Sequence, residues 1–279
     1  MISIIIPSFN NLDYLKLCIK SLKINSEYNH EIIVHINDGS DGSLNFIKEK
    51  GYKYTYSETN IGLCSAINMA AKLATNQYIL YSHDDMYFCP DWDVVLMKEV
   101  QKIGHDNFYL SGTMIESNSG HIIYNFGKTF LDFNEHELLK TYKQINFYDH
   151  QGTHFAPHLV SKNMWFKVGG FSEEFNPGIA SDPDFNMKLW KEGVRIFKGL
   201  NDFKVYHFGS ITSRKKKSLT QNKGDKTFLK KWGITTKFFK KHYLKSKTKY
   251  NGPLKEPDKT LSYIFGLLSC KIKSIFSLY

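Results

Sequence analysis

The sequence predicts an α/β protein: a mostly parallel sheet flanked by helices, with a basic helical extension at the C-terminal end. Three observations predict it. Over the first eighty residues, short β-branched or aromatic runs alternate with segments of helical period. Strand runs end in polar clusters rich in Asp, Asn, Ser and Gly. The charge is also divided, for residues 1–207 carry 19 Lys and Arg against 24 Asp and Glu, whereas residues 208–279 carry 18 against 3.

Ile2–Ile6 reads as a strand closed by Pro7. Leu12, Leu15, Cys18, Ile19 and Leu22 follow at three- and four-residue spacing and make a helix. Glu31–Ile36 is a second strand, ended by Asn37-Asp38-Gly39-Ser40. Ser43–Glu49 is a short helix, Tyr52–Tyr56 a third strand and Gly62–Leu73 another helix. Tyr78–Tyr81 is a buried fourth strand that delivers Ser82-His83-Asp84-Asp85. A βαβαβαβ order argues a parallel sheet, which binds ligands at its C-terminal edge. Pro90-Asp91-Trp92 starts a helix to Ile103, and Asn107–Thr113 is a strand. Residues 119–149 show no dominant period. Gly152–Ser161 reads as a loop into a strand, and Asn163–Val168 as a short helix before Gly169-Gly170-Phe171. Ser181–Lys191 is a helix, Asp202–His207 a strand, and basic helices follow Arg214. Without an internal repeat or a low-complexity linker, residues 1–212 are expected to form one catalytic domain and residues 213–279 a basic, amphipathic extension.

Several classes are excluded on composition. No apolar run reaches the roughly 18 residues of a membrane span. Cys18, Cys64, Cys89 and Cys270 are scattered, fitting neither a zinc site nor a disulfide framework, so reduced thiols are expected. The chain opens on a strand pattern rather than a secretory signal, which points to a cytoplasmic location. The net charge of +10 comes from the tail, implying a polyanionic neighbour there.

Five constellations carry chemistry. Asp84 and Asp85, adjacent at a strand end, repel unless a cation or proton intervenes, and an oxygen-rich site of this kind suits Mg²⁺ or Mn²⁺. Asp38, before a glycine turn, can accept a hydrogen bond from a ligand N–H such as N3 of uracil or thymine. Asn60-Ile61-Gly62 opens a helix that carries Asn68, and helix N-termini attract phosphate. Asp182 and Asp184 lie in the first turn of a helix, where a carboxylate facing a cleft can act as general base. His207 closes a strand and can ligate a metal. Each has a purely structural alternative: turn, cap, helix-dipole partner or core histidine.

Taken in order, the motifs Ile2–Asn10, Asn37–Ser40, Asn60–Gly62, Ser82–Asp85 with Pro90, Val168–Phe171, Asp182-Pro183-Asp184 and His207 resemble the inverting family 2 glycosyltransferases of the GT-A fold, of the bacterial surface-polysaccharide type. The resemblance covers residues 1–212. It implies that Asp38 contacts the base of a nucleotide-sugar, with Pro7, Ser8 and Asn10 lining that pocket. It implies that Asp84 falls on the last acid of the Asp-X-Asp motif and, with Asp85 and His207, holds a divalent metal on the diphosphate, with His83 among the donor-binding residues. It makes Asp182 the base. There are departures: Ser82 replaces the first acid of Asp-X-Asp, Asn37 replaces an Asp, and Ser181 stands where Glu usually precedes the base. Ile67 stands where a phosphate-binding Arg is common, so Arg214 or Lys215 is expected to supply that charge.

The expected reaction is metal-assisted, inverting transfer of a hexosyl or N-acetylhexosaminyl group from a UDP- or dTDP-sugar to a hydroxyl of a glycan or lipid-linked acceptor. Acceptor recognition is expected in residues 113–160, including His154 and His158. Two tail stretches interleave lysines with apolar residues: Phe228–Tyr243, and a face formed by Leu261, Ile264, Phe265, Leu268, Ile272, Ile275 and Phe276. Both suit an anionic membrane surface, with packing on the domain or a homodimer contact as alternatives. A sugar-nucleotide nucleotidyltransferase is the runner-up, but Pro7–Asn11 lacks its glycine-rich phosphate loop. A non-enzymatic polyanion binder explains only the tail, and no nucleic acid is expected.

Overall fold

The computed structural model describes residues 1–209 and 223–277. In chain order its elements are β1 (Ile2–Phe9), α1 (Leu12–Ile24), β2 (Glu31–Asn37), α2 (Ser43–Glu49), β3 (Lys53–Ser57), α3 (Leu63–Ala71), β4 (Tyr78–Tyr81), β5 (Met86–Phe88), α4 (Trp92–Ile103) and β6 (Phe108–Glu116). They continue with β7 (Ile122–Ile123), α5 (Glu135–Thr141), β8 (His150–Gln151), β9 (His158–Ser161), α6 (Lys162–Lys167), α7 (Ser181–Lys191) and β10 (Ile196–His207). The C-terminal segment adds α8 (Gly224–Trp232), α9 (Thr236–Phe238) running into a π turn, and α10 (Leu261–Ser277).

The sheet order is β3-β2-β1-β4-β9-β6-β10-β5, with β7 beside β6 and β8 beside β10. β1 pairs in parallel with β2 and β4, and β2 with β3. β9 then runs antiparallel between β4 and β6, so β6, and β10 parallel to it, point the same way as β1. The C-terminal ends of β1, β2, β4, β6 and β10 therefore share one edge. The expected mostly parallel sheet is found: the first four strands pair in parallel, and β9, β5 and β8 add antiparallel pairs, as is common in large α/β sheets.

β1 runs past its expected end at Pro7 to Phe9. Its β4 partner stops at Ile5↔Tyr81 while β2 continues to Phe9↔Asn37, so one side of β1 is an edge where a missing donor is tolerated. β10 starts six residues before the expected Asp202, and its register against β6 shifts between Leu200 and Lys204, a bulge that the strand runs through.

α3 packs on β1 and β2, and α4 on β10. The main core runs from Ile2, Leu15 and Ile33 through Trp165 and Phe185 to Phe228, Phe238, Phe239 and Leu254. The aromatic residues of the Phe228–Tyr243 stretch are thus core or packed against it, which removes that stretch as a membrane face. A smaller core of Tyr14, Tyr87, Phe126, Leu138, Tyr206 and Phe208 underlies residues 122–145. All four cysteines are buried and unpaired. Among the described residues, no helix is long and apolar enough to cross a membrane.

Candidate active site

Two left-handed residues open the edge. Asn10 (φ 48°) follows β1 and Asp38 (φ 67°) follows β2, a conformation that asparagine and aspartate tolerate better than most residues. Asn10 Nδ2 donates to Asp38 Oδ2 at 3.0 Å and to Ser40 Oγ at 3.0 Å, and the Ser40 N–H donates to Asp38 Oδ1 at 3.1 Å. The Asp38 carboxylate is thereby fixed at the sheet edge. Asn37 turns inward: its Oδ1 accepts from Ser57 Oγ and from the Ile61 N–H, tying β2 to β3 and to the approach to α3.

The adjacent acids after β4 have different surroundings. Asp84 is buried, and both its oxygens accept from the protein: Oδ2 from Ser8 Oγ at 2.7 Å and Oδ1 from Asn11 Nδ2 at 3.1 Å. Burial and the neighbouring Asp85 push its pKa up to about 7 against these donors. Asp85 instead meets two histidines, with Oδ1 3.2 Å from His207 Nε2 and 3.9 Å from His83 Nδ1. The backbone sets this up. The Phe208 N–H donates to the Asp85 carbonyl, and His207 pairs with Met86 across β10 and β5, bringing His207 beside Asp85.

His83, Asp85 and His207 offer ligand atoms that all lie within 4.8 Å of one another. Two imidazoles and a carboxylate are ligands for divalent metal ions, so the residues present fit one. His207 Nδ1 lies 2.6 Å from Glu116 Oε1 at the end of β6. A carboxylate behind a ligating imidazole fixes its orientation and raises its basicity. Burial opposes charge on His207, but Asp85 and Glu116 outweigh it and lift its pKa to about 10. Burial and the His207 charge lower His83 to about 4. Glu116 had no sequence signal, because its partner lies 91 residues away.

The two acids of α7 also part company. Asp184 is fully buried and accepts from Ser172 Oγ at 2.6 Å and Trp232 Nε1 at 2.8 Å, with Lys231 Nζ at 3.0 Å. It fastens α8 to the body. Asp182 is only partly covered as a residue, yet its Oδ1 is buried and has no hydrogen-bond partner. Burial raises its pKa to about 7, the range in which a carboxylate works as a base near neutrality. Ala180, just before α7, is left-handed (φ 64°), a strained turn for a residue with a Cβ.

The N-terminus of α3 is occupied by protein. Asn176 Oδ1 accepts from the Cys64 N–H at 2.9 Å, and a Cβ on Gly62 would meet that oxygen at 2.4 Å. Asn60 Oδ1 accepts from the Gly62 N–H. Asn68 is spent on the Phe171 backbone, donating to its carbonyl and accepting from its N–H. Asn60, Gly62 and Asn68 thus shape the helix start and its packing, and the amide an anion would use is taken. Pro7 lies in β1, and Arg214 and Lys215 fall outside the described residues. His158 is in the interior rather than on an acceptor surface, with no exposure and its ring centroid 4.5 Å from that of Tyr109. His154 is also buried.

The family model for glycosyl transferase family 2 matches residues 3–164, more than half of the chain. The hyaluronan synthase of Pasteurella multocida is 25% identical over 245 residues, covering 85% of this chain and 22% of the synthase. Among solved structures, residues 1–349 of S. aureus TarS in complex with UDP superpose with a TM-score of 0.56 at 19% identity, covering 74% of this chain and 59% of that one. GalNAc-T7 with UDP, GalNAc and Mn²⁺ gives a TM-score of 0.57 at 15% identity, over 74% and 43%. The chain spans between 18% and 63% of the first three curated relatives, less than two thirds of each.

Proposed function

The chain belongs to glycosyl transferase family 2, and we propose that its sheet-edge cleft transfers a sugar from a UDP- or dTDP-linked donor to an acceptor hydroxyl, with inversion and with a divalent ion bound. One observation carries this: the convergence of His83, Asp85 and His207 on the edge that also bears Asp38. TarS in complex with UDP, and GalNAc-T7 with UDP, GalNAc and Mn²⁺, are proteins of similar fold, which supports a nucleotide and a divalent ion as ligands here.

Asp38, held by Asn10, accepts the N3–H of the base, with Pro7 and Ser8 beside it. His83, Asp85 and His207 hold the ion, and Asp84, engaged by Ser8 and Asn11, braces the turn that presents them. A divalent ion held there would supply positive charge beside the diphosphate. Asp182 takes the proton of the acceptor hydroxyl as its oxygen attacks the anomeric carbon. The bond to the diphosphate breaks on the opposite face, so a single displacement inverts the centre. The acceptor is a glycan or lipid-linked saccharide, reached from the cytoplasmic side. Residues 1–212 form the catalytic domain in this scheme, and residues 213–279 the appended helical region.

A donor screen tests the proposal by nucleotide release from UDP-, dTDP- and GDP-sugars with Mn²⁺, with and without EDTA. UDP or dTDP release that EDTA abolishes is expected. Release from GDP-sugars alone would overturn the base assignment at Asp38, and full release in EDTA would remove the metal.

A further inference from the structure

The last helix has two apolar faces, and the domain uses only one. Tyr263, Leu267 and Cys270 of α10 pack inward against the core. The Tyr263 ring centroid lies 5.1 Å from that of Phe238, the Thr235 N–H donates to Cys270 Sγ at 3.4 Å, and a Cβ on Gly266 would meet the Phe238 ring at 2.9 Å. These contacts fix the rotation of the helix. They leave Leu261, Ile264, Phe265, Leu268, Ile272 and Ile275 outside, each between 45% and 73% exposed. At 3.6 residues per turn, these six fall within about 100° of the circumference, opposite the inward face. Lys271 borders the stripe and Lys273 lies farther round the helix, while Lys255 and Lys259 immediately precede it.

We propose that this outward stripe of α10 lies in the plane of an anionic lipid surface, its apolar side chains in the interface and the lysines around it on the headgroups. Charge decides between a lipid surface and a second copy of the chain. Beside the stripe stand Lys255, Lys259, Lys271 and Lys273 against Asp258 and Glu256, the latter paired with Arg195, so two such faces would bring net like charge together, whereas an anionic bilayer satisfies stripe and lysines at once. Among the described residues no helix is long and apolar enough to cross a membrane, so the proposal places this helix on the surface rather than across it. Docking of this kind does not depend on the donor or the metal.

The test uses the full chain and co-sedimentation with vesicles of phosphatidylglycerol mixed with phosphatidylcholine, against phosphatidylcholine alone. The wild-type protein sediments with the anionic vesicles, weakly with the neutral ones, and less in high salt. Leu268→Glu/Ile272→Glu lowers partitioning by at least about tenfold, and Lys271→Gln by roughly fivefold. Circular dichroism and light scattering check fold and mass, and Phe265→Ser serves as a second apolar probe should the double variant unfold. Absence of binding to anionic vesicles, equal binding by the folded apolar variants, or a wild-type dimer that these variants make monomeric would overturn the proposal.

Discussion

The turn after β4 and the first turn of α7 solve the same problem in the same way. Each carries two acids close together in sequence. At β4, Asp84 is bound by Ser8 and Asn11 while Asp85 faces His83 and His207. At α7, Asp184 is bound by Ser172, Lys231 and Trp232 while Asp182 keeps a buried oxygen without a partner. In each pair one acid is held by hydroxyl, amide or indole donors of the fold, while the other meets two histidines at β4 and keeps an unpartnered oxygen at α7. Crowded carboxylates are costly to bury unless donors or cations compensate them, so the distribution of donors within a pair marks the division of labour.

The largest effect should separate Asp182 from Asp184. Asp182→Asn is expected to lower nucleotide release about 10²–10⁴-fold, the usual worth of a general base, with donor binding intact. It should not lower stability. A carboxyl whose pKa is raised by folding costs stability above its unfolded value of 3.8, and the cost is complete above about 7, so the neutral amide relieves it. Asp184→Ala should do the reverse. It leaves the Trp232 N–H and the Ser172 hydroxyl without their buried acceptor, while Lys231 keeps Glu174, and is expected to cost about 1–3 kcal/mol in denaturant unfolding, with turnover per folded molecule little changed. Equal loss of turnover in both variants would dissolve the contrast.

A smaller effect probes the support behind the metal candidates. Glu116→Gln should weaken Mn²⁺ binding about 10–100-fold while sparing the fold, and unchanged calorimetric affinity would detach Glu116 from the site. The smallest is a slope: with Asp182 raised to about 7, turnover should rise about tenfold per pH unit below that value and level off above it, because only the ionised form accepts the proton. A profile flat from acid to neutral pH would exclude Asp182 as the base.

The order of β1 to β4 and the acids at their ends were legible in the sequence because those signals are local. Ser43–Glu49, Tyr78–Tyr81 and Ser181–Lys191 form their elements as the pattern requires. The pairing of β9 between β4 and β6 was not legible, since it depends on contacts far apart along the chain. The same holds for the partners that sort the acids: Asn11 lies 73 residues from Asp84, and Trp232 lies 48 from Asp184. Helical period also cannot tell a face that packs on the body from one that meets a lipid surface. Phe228, Phe238 and Phe239 went inward, whereas Leu261, Ile264, Phe265, Leu268, Ile272 and Ile275 stayed out.

Calorimetric titration of Mn²⁺ in the presence of UDP, into Asp84→Asn and Asp85→Asn side by side, tests the division of labour most directly. Loss of Mn²⁺ binding in Asp85→Asn, with binding retained in a folded Asp84→Asn protein, is the expected result. Retained binding in Asp85→Asn with loss in a folded Asp84→Asn protein would contradict it.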